Sequence, residues 1–373
     1  MNGFGVEGLV HMDDSRIGIA GRISRKMMIA SGVGALAAVG LSRKVVAADL
    51  SAAEQSALST GIPPDDGLAH AIPYTPALGI GKERGLSMSG GAIYLVSFYS
   101  GYLTSLAQNG VDLNLADVMI GTSAGTLGTY AVLTGAAARM KAEMSAIGKF
   151  PATMNYSLNP PFSSMRADFV GNNLPTASVQ NIQELGRAAM AAQTNPVAEW
   201  QSVINRLTGA GKAWPSPKFH TSAIDCYTAQ RLVVAQEDNI AAIDAMSASS
   251  SWPGLAGPTT LKDRRCMDGG TCQSSTHADV LGGAKRVLIV SLASGDDERD
   301  AAQGLRLSHF PNSLNQEIAD LKAGGSQVLL IVVGCPPGYA KVNLVDPALI
   351  PVAIQFGTDR GVSDAAKIKA FWS

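Results

Sequence analysis

The sequence predicts an α/β/α domain around a mainly parallel central sheet. Three observations carry this. Apolar runs of strand length recur along the chain, the first two lead through glycine turns into helix-period segments, and the later runs are apolar enough for a covered sheet. With 373 residues, of which 46% are hydrophobic, the chain can bury a sizeable core. Its 29 basic and 30 acidic residues argue against a nucleic-acid-coating protein, and no repeat or low-complexity tract marks a fibrous one.

Residues 1–48 read as an export signal. Arg22, Arg25 and Lys26 precede a mild apolar run from Met27 to Leu41, whose 15 residues are short for a membrane span. Arg43-Lys44 and the small-residue ending Val46-Ala47-Ala48 follow, as at a signal-peptidase site. Ser24-Arg25-Lys26 is similar to a twin-arginine signal, with Lys26 in place of the second arginine. A periplasmic or secreted location is therefore expected, with a retained anchor or a cytoplasmic leader as alternatives. After cleavage at Ala48, 325 residues with 23 basic and 27 acidic groups would remain. Peripheral membrane contact by so mildly acidic a body would need an apolar patch or a local basic cluster.

Residues 49–83 read as a polar, Pro-containing arm, and residues 84–373 as one domain. A strand is expected at Gly85–Ser89. Gly90-Gly91-Ala92 then turns the chain into a helix, with Leu95, Phe98, Tyr99, Tyr102, Leu103 and Leu106 at helical spacing until Asn109-Gly110. Gly81-Lys82 is no phosphate loop, because Glu83 stands where Ser or Thr is needed. A second strand at Val118–Ile120 enters Gly121-Thr122-Ser123-Ala124-Gly125 and another helix. Residues 135–214 look helix-rich, broken by turns such as Asn159-Pro160-Pro161. They are expected to shape the mouth of a site, although any one Met, Ala or Leu there is more simply helical packing. Strands resume at Phe219–Ile224, Arg286–Val290 and Val328–Val333. Asp296-Asp297-Glu298 reads as a solvated loop.

Gly121 to Gly125 form a nucleophile-elbow pattern, in which a strand-to-helix corner exposes a serine hydroxyl and the helix N-terminus presents free N–H groups. A lone G-x-S-x-G is a weak signal in a chain with 40 glycines, and its strand-before, helix-after setting strengthens it. Asp268, entering Gly269-Gly270, is on its own more simply a turn-forming Asp. The histidines His11, His70, His220, His277 and His309 have no zinc-ligand spacing, so no metal or other cofactor is expected. Cys226, Cys266, Cys272 and Cys335 are expected to be unpaired, with a Cys266–Cys272 bridge as the alternative after export.

Taken together, Gly90-Gly91-Ala92, Gly121-Thr122-Ser123-Ala124-Gly125 and Asp268-Gly269-Gly270 resemble, in type and order, the blocks of the patatin-like phospholipase family. Ser249 to Leu255 and Gly283-Ala284 extend the likeness over about Arg84 to Ser291. The resemblance implies a lipid acyl hydrolase with a Ser-Asp dyad, Ser123 as nucleophile and Asp268 as its partner. It also implies an oxyanion-binding loop at Gly90, Gly91 and Ala92, to which Ala124 adds its amide. The implied substrate is an acyl lipid or a small ester. Where the family has a third glycine and then a basic residue, this chain has Ala92 and Tyr94, which questions loop anchoring and phosphate contact. Two other readings remain open here. One is a Ser-His-Asp triad using Ser123, Asp225 or Asp268, and His277 or His309. The other is a catalytically impaired module that binds lipid or protein.

Overall fold

A computed structural model of the protein describes residues 77–151, 176–272, 274–306 and 310–373. The expected export signal, most of the arm, the Asn159-Pro160-Pro161 turn and His309 lie outside the described residues.

Among the described residues the strands are β1 (Arg84–Met88), β2 (Val118–Gly121), β3 (Phe219–Asp225), β4 (Arg231–Val234), β5 (Thr259–Leu261), β6 (Arg264–Asp268), β7 (Arg286–Ser291) and β8 (Gln327–Val332). Their pairing runs β5-β6-β3-β2-β1-β7-β8, with β4 also on β3. β1 is parallel to β2 and β7, β2 to β3, and β7 to β8, while the β4, β5 and β6 pairings are antiparallel. The helices are α1 (Ala92–Gln108), α2 (Ala124–Thr134), α3 (Ala137–Lys149), α4 (Val179–Ala191), α5 (Val197–Thr208), α6 (Ala242–Ser249), α7 (Asp297–Ala302), α8 (Leu314–Ala323) and α9 (Ile350–Trp372).

Side chains alternate across the pleat to make two covered faces. Leu86, Met119, Leu288 and Ile331 join a core with α1, α2, α3 and α9. Val118, Ile120, Val287 and Ile289 point the other way, into a core closed by Leu314 and Leu321 of α8. This is the expected three-layer α/β/α architecture. α1 and α9 cross at backbone contact, because a Cβ on Gly357 would overlap the Phe98 carbonyl oxygen.

The register around β3 positions the site. Thr221 pairs with Gly121 on one edge and Val234 on the other, while Ala223 pairs with Asp268 and with Leu232. A strand has only two edges, so β2 and β6 share one, and their C-terminal ends approach head-on. The gap is two residues of β3, about 7 Å at the usual strand rise. Residues 123 and 268, which are distant in sequence, therefore meet at one point of the sheet.

The five expected strands agree with β1, β2, β3, β7 and β8 to within a residue. β5 and β6, strands of 3 and 5 residues rich in Thr and Arg, lack the apolar run that marked the others, whereas β4 carries the short buried run Leu232-Val233-Val234, which was not among the expected strands. Asp296-Asp297-Glu298 also differs from the plain loop expected. Asp296 caps α7 by accepting the Arg299 N–H at 3.1 Å, and the next two acids occupy its first turn, where the helix dipole favours negative charge. Among the described residues, no helix is long and apolar enough to cross a membrane.

Candidate active site

Ser123 sits at the corner between β2 and α2 with φ 52° and ψ −120°, a strained conformation for a residue with a side chain. Its flanking glycines are required by close approach. A Cβ on Gly125 would overlap the Met88 carbonyl, and one on Gly121 would lie 2.6 Å from the Gly125 carbonyl oxygen. The Ser123 N–H donates to the Ser249 carbonyl and hydroxyl, both at 3.0 Å, fixing the corner against the end of α6.

Asp268 ends β6 and is 1% exposed. Its carboxylate accepts the Gly270 N–H at 2.7 Å, and its N–H donates to the Ser251 carbonyl at 3.0 Å. Burial raises its pKa from 3.8 to about 7, against the opposing pull of hydrogen bonds from the Gly270 N–H and the Ser123 hydroxyl. Ser123 and Asp268 thus line the same cavity, and burial gives the carboxylate what an ordinary Asp lacks, basicity matched to neutral pH.

The glycine loop is built in an unforeseen way. The Gly90 N–H donates to Ser275 Oγ at 2.8 Å, so Gly90 serves loop geometry and has no free amide. Among the described residues the N–H groups of Gly91, Ala92 and Ala124 have no partner. Ala92 and Ala124 line the same cavity as Ser123. Ala92 adopts φ 48°, the left-handed backbone that suits a third glycine, which it reaches with a side chain attached. Tyr94 is fully buried and anchors the loop without a charge. Its hydroxyl donates to the Gly334 carbonyl at 2.8 Å, and its N–H to the Leu344 carbonyl at 3.0 Å. Burial holds the phenol far above its ordinary pKa, so it stays neutral.

A cavity of about 530 Å³ opens above the pair, walled by apolar side chains that include Leu127, Met144, Ile147, Trp200, Val203 and Leu207. Most of these come from α3 and α5, so the helix-rich segment does shape the pocket, and several of its residues do more than pack helices. The loop between β8 and α9 supplies another wall through Lys341 to Val345, and Arg306 lines the cavity as well. Sequence reasoning missed this loop because it carries no motif.

The triad is not assembled around His277. Its Nδ1 faces Arg231 Nη1 at 3.3 Å, which can only donate, so Nε2 carries the proton and donates to the Gly269 carbonyl at 2.8 Å. Burial, aided by Arg231, lowers its pKa to about 4, which keeps the ring neutral. Asp225 is engaged by Arg264 at 3.0 Å and by the N–H groups of Tyr227 and Thr228. Arg231 also pairs twice with Asp279 at 2.9 Å, while Glu317 accepts from Ser274, Thr276 and the Ala278 N–H. This buried network holds the segment that follows Asp268. The four cysteines are free. Among the described residues no cluster of His, Cys, Asp or Glu could hold a metal ion.

None of the curated proteins matches the chain. Among solved structures, VipD from Legionella pneumophila is similar with a TM-score of 0.36 and 12% identity, covering 80% of this chain and 68% of that one, a likeness too remote to bear on activity. The family model for patatin-like phospholipases matches residues 86–281, which run from β1 through Ser123 and Asp268 to just past Asp279. The chain belongs to the patatin-like phospholipase family.

Proposed function

We propose that the protein is a serine acyl hydrolase that cleaves carboxylic esters of acyl lipids, with Ser123 as nucleophile and Asp268 as proton acceptor. One observation carries this reading: Ser123, at the strained corner between β2 and α2, and the buried Asp268 carboxylate, whose pKa burial raises to about 7, line the same apolar cavity. Family membership supports lipid acyl hydrolysis in general.

The reaction divides into two steps. In the first, Ser123 Oγ bonds to the ester carbonyl carbon while its proton moves to Asp268. The carbonyl oxygen becomes an oxyanion held by the unpartnered amides of Gly91, Ala92 and Ala124, and collapse breaks the carbon–alkoxide bond. Asp268 returns the proton to the departing alcohol. In the second, a water gives its proton to Asp268, attacks the acyl-serine and releases the fatty acid, and the proton returns to Ser123. Export through the leader in residues 1–48 belongs to the same proposal and rests on sequence pattern alone.

The test is hydrolysis of phospholipids, neutral glycerides and short-chain esters by the wild type beside Ser123→Ala. Turnover that disappears in the variant, with the fold intact by circular dichroism, is expected. Equal turnover by both proteins, or none by the wild type on any ester, would overturn the proposal.

A further inference from the structure

The position where the family resemblance calls for a basic residue holds Tyr94, which does the anchoring but offers no charge to an anionic substrate. Two cations from a different part of the chain line the active-site cavity instead: Arg306 and Lys341. Their segments are neighbours, since the Val342 N–H donates to the Gln303 carbonyl at 3.0 Å and Gly304 lies against Val342 and Lys341. Arg306 also lines a small second cavity beside Gly90 and Gly270, which places it next to the loops that flank Ser123 and Asp268.

Arg306 is held in place. Its Nη2 donates to the Phe310 carbonyl at 2.7 Å and its Nε lies 3.6 Å from Asp297, while its side chain is 18% exposed. Lys341 is exposed and has no hydrogen-bond or ion-pair partner among the described residues. Among the described residues that line the cavity, Asp268 at its base is the one carboxylate. The wall therefore offers a fixed guanidinium and an exposed ammonium beside an apolar cleft, a combination that recognises an acid carried by an amphiphile.

Building on the hydrolase reading above, we infer that Arg306 and Lys341 form an anion-recognition wall that selects acyl esters bearing an anionic headgroup over zwitterionic and neutral ones. Arg306, from the segment after α7, and Lys341, from the β8–α9 loop, together replace the charge that position 94 does not provide.

The test compares kcat/KM for phosphatidylglycerol, phosphatidylcholine and diacylglycerol, each dilute in micelles of one uncharged detergent so that surface charge stays low. The wild type is expected to favour phosphatidylglycerol by about tenfold or more, the usual scale of one charge-assisted hydrogen bond. Lys341→Gln and Arg306→Gln should each shrink the ratio of anionic to neutral turnover, and the double variant should bring it near one. A wild-type ratio near one, or a ratio untouched in the double variant, overturns the inference. Calorimetric binding of dodecyl phosphate and of dodecanol to Ser123→Ala reads headgroup recognition without chemistry. Tighter binding of dodecyl phosphate that Lys341→Gln abolishes supports the wall even if no ester is ever hydrolysed. Equal affinity for the two amphiphiles rejects the wall even if hydrolysis is fast.

Discussion

Replacing Asp268 by Asn separates its two roles, because the change removes a proton acceptor and also removes a buried charge. The Asn side chain keeps an oxygen for the Gly270 N–H and gains an amide that can donate to Ser123. In the wild type, burial lifts the acid from 3.8 to about 7. A folded-state pKa above the unfolded one means that the native chain holds the extra proton between those values, so stability falls as pH rises through that window. At about 1.4 kcal/mol per pH unit, ionising Asp268 costs the fold about 4 kcal/mol at pH 8. Asp268→Asn lacks this slope. Its Tm should match the wild type near pH 4 and exceed it by about 5–8 °C at pH 8. The difference curve isolates Asp268, because His277 titrates identically in both proteins. In the same samples ester hydrolysis should fall about 10²- to 10⁴-fold, the usual contribution of a general base. A Tm difference that stays flat from pH 4 to 8, or wild-type turnover in the variant, would refute the reasoning.

Other predictions follow from individual contacts. The pH profile of kcat/KM should rise with a midpoint near 7, because Asp268 must be ionised to accept the serine proton and burial sets its pKa there; a midpoint near 4 would remove the buried-base argument. His277→Gln should lower Tm by weakening the contacts to Gly269 and Arg231 while leaving that midpoint in place, whereas a His-based triad would lose its acid limb altogether. Tyr94→Phe leaves the Gly334 carbonyl without its donor, at a cost of about 1–3 kcal/mol read by denaturant titration, and the displaced loop should lower kcat. Ala92→Gly should keep hydrolysis and hold or raise Tm, since glycine adopts φ 48° freely, while Ala92→Val should cost about 1–3 kcal/mol and most of the activity.

Much of this arrangement was legible in the sequence for definable reasons. Parallel strands covered on both faces tend to be apolar, so β2, β7 and β8 stood out as runs of Val, Ile, Leu and Met, while β1 and β3, with their buried Ser, Thr and His, carried a weaker apolar signal. The elbow was legible because the close contacts at Gly121 and Gly125 exclude any side chain. The acid at Asp268 was visible only through its glycine turn and the family resemblance. The head-on meeting of β2 and β6 along β3 depends on pairing between distant segments, and no local pattern encodes it. The same holds for the engaged amide of Gly90, whose partner Ser275 lies 185 residues away, and for the cavity wall from Arg306 and Lys341. His277 had the residue type and chain order of a triad base, and only its two hydrogen bonds reveal a structural role.

The central claim is that a buried carboxylate activates one serine at the base of an apolar cleft. The rate at which a fluorophosphonate probe modifies the protein, with the adduct located by peptide mass spectrometry across pH 5 to 9, tests it most directly. The account predicts a single adduct on Ser123, forming with a midpoint near pH 7 and at least about a hundredfold more slowly in Asp268→Asn. No adduct on Ser123, or labelling that is equally fast without the carboxylate, would contradict it.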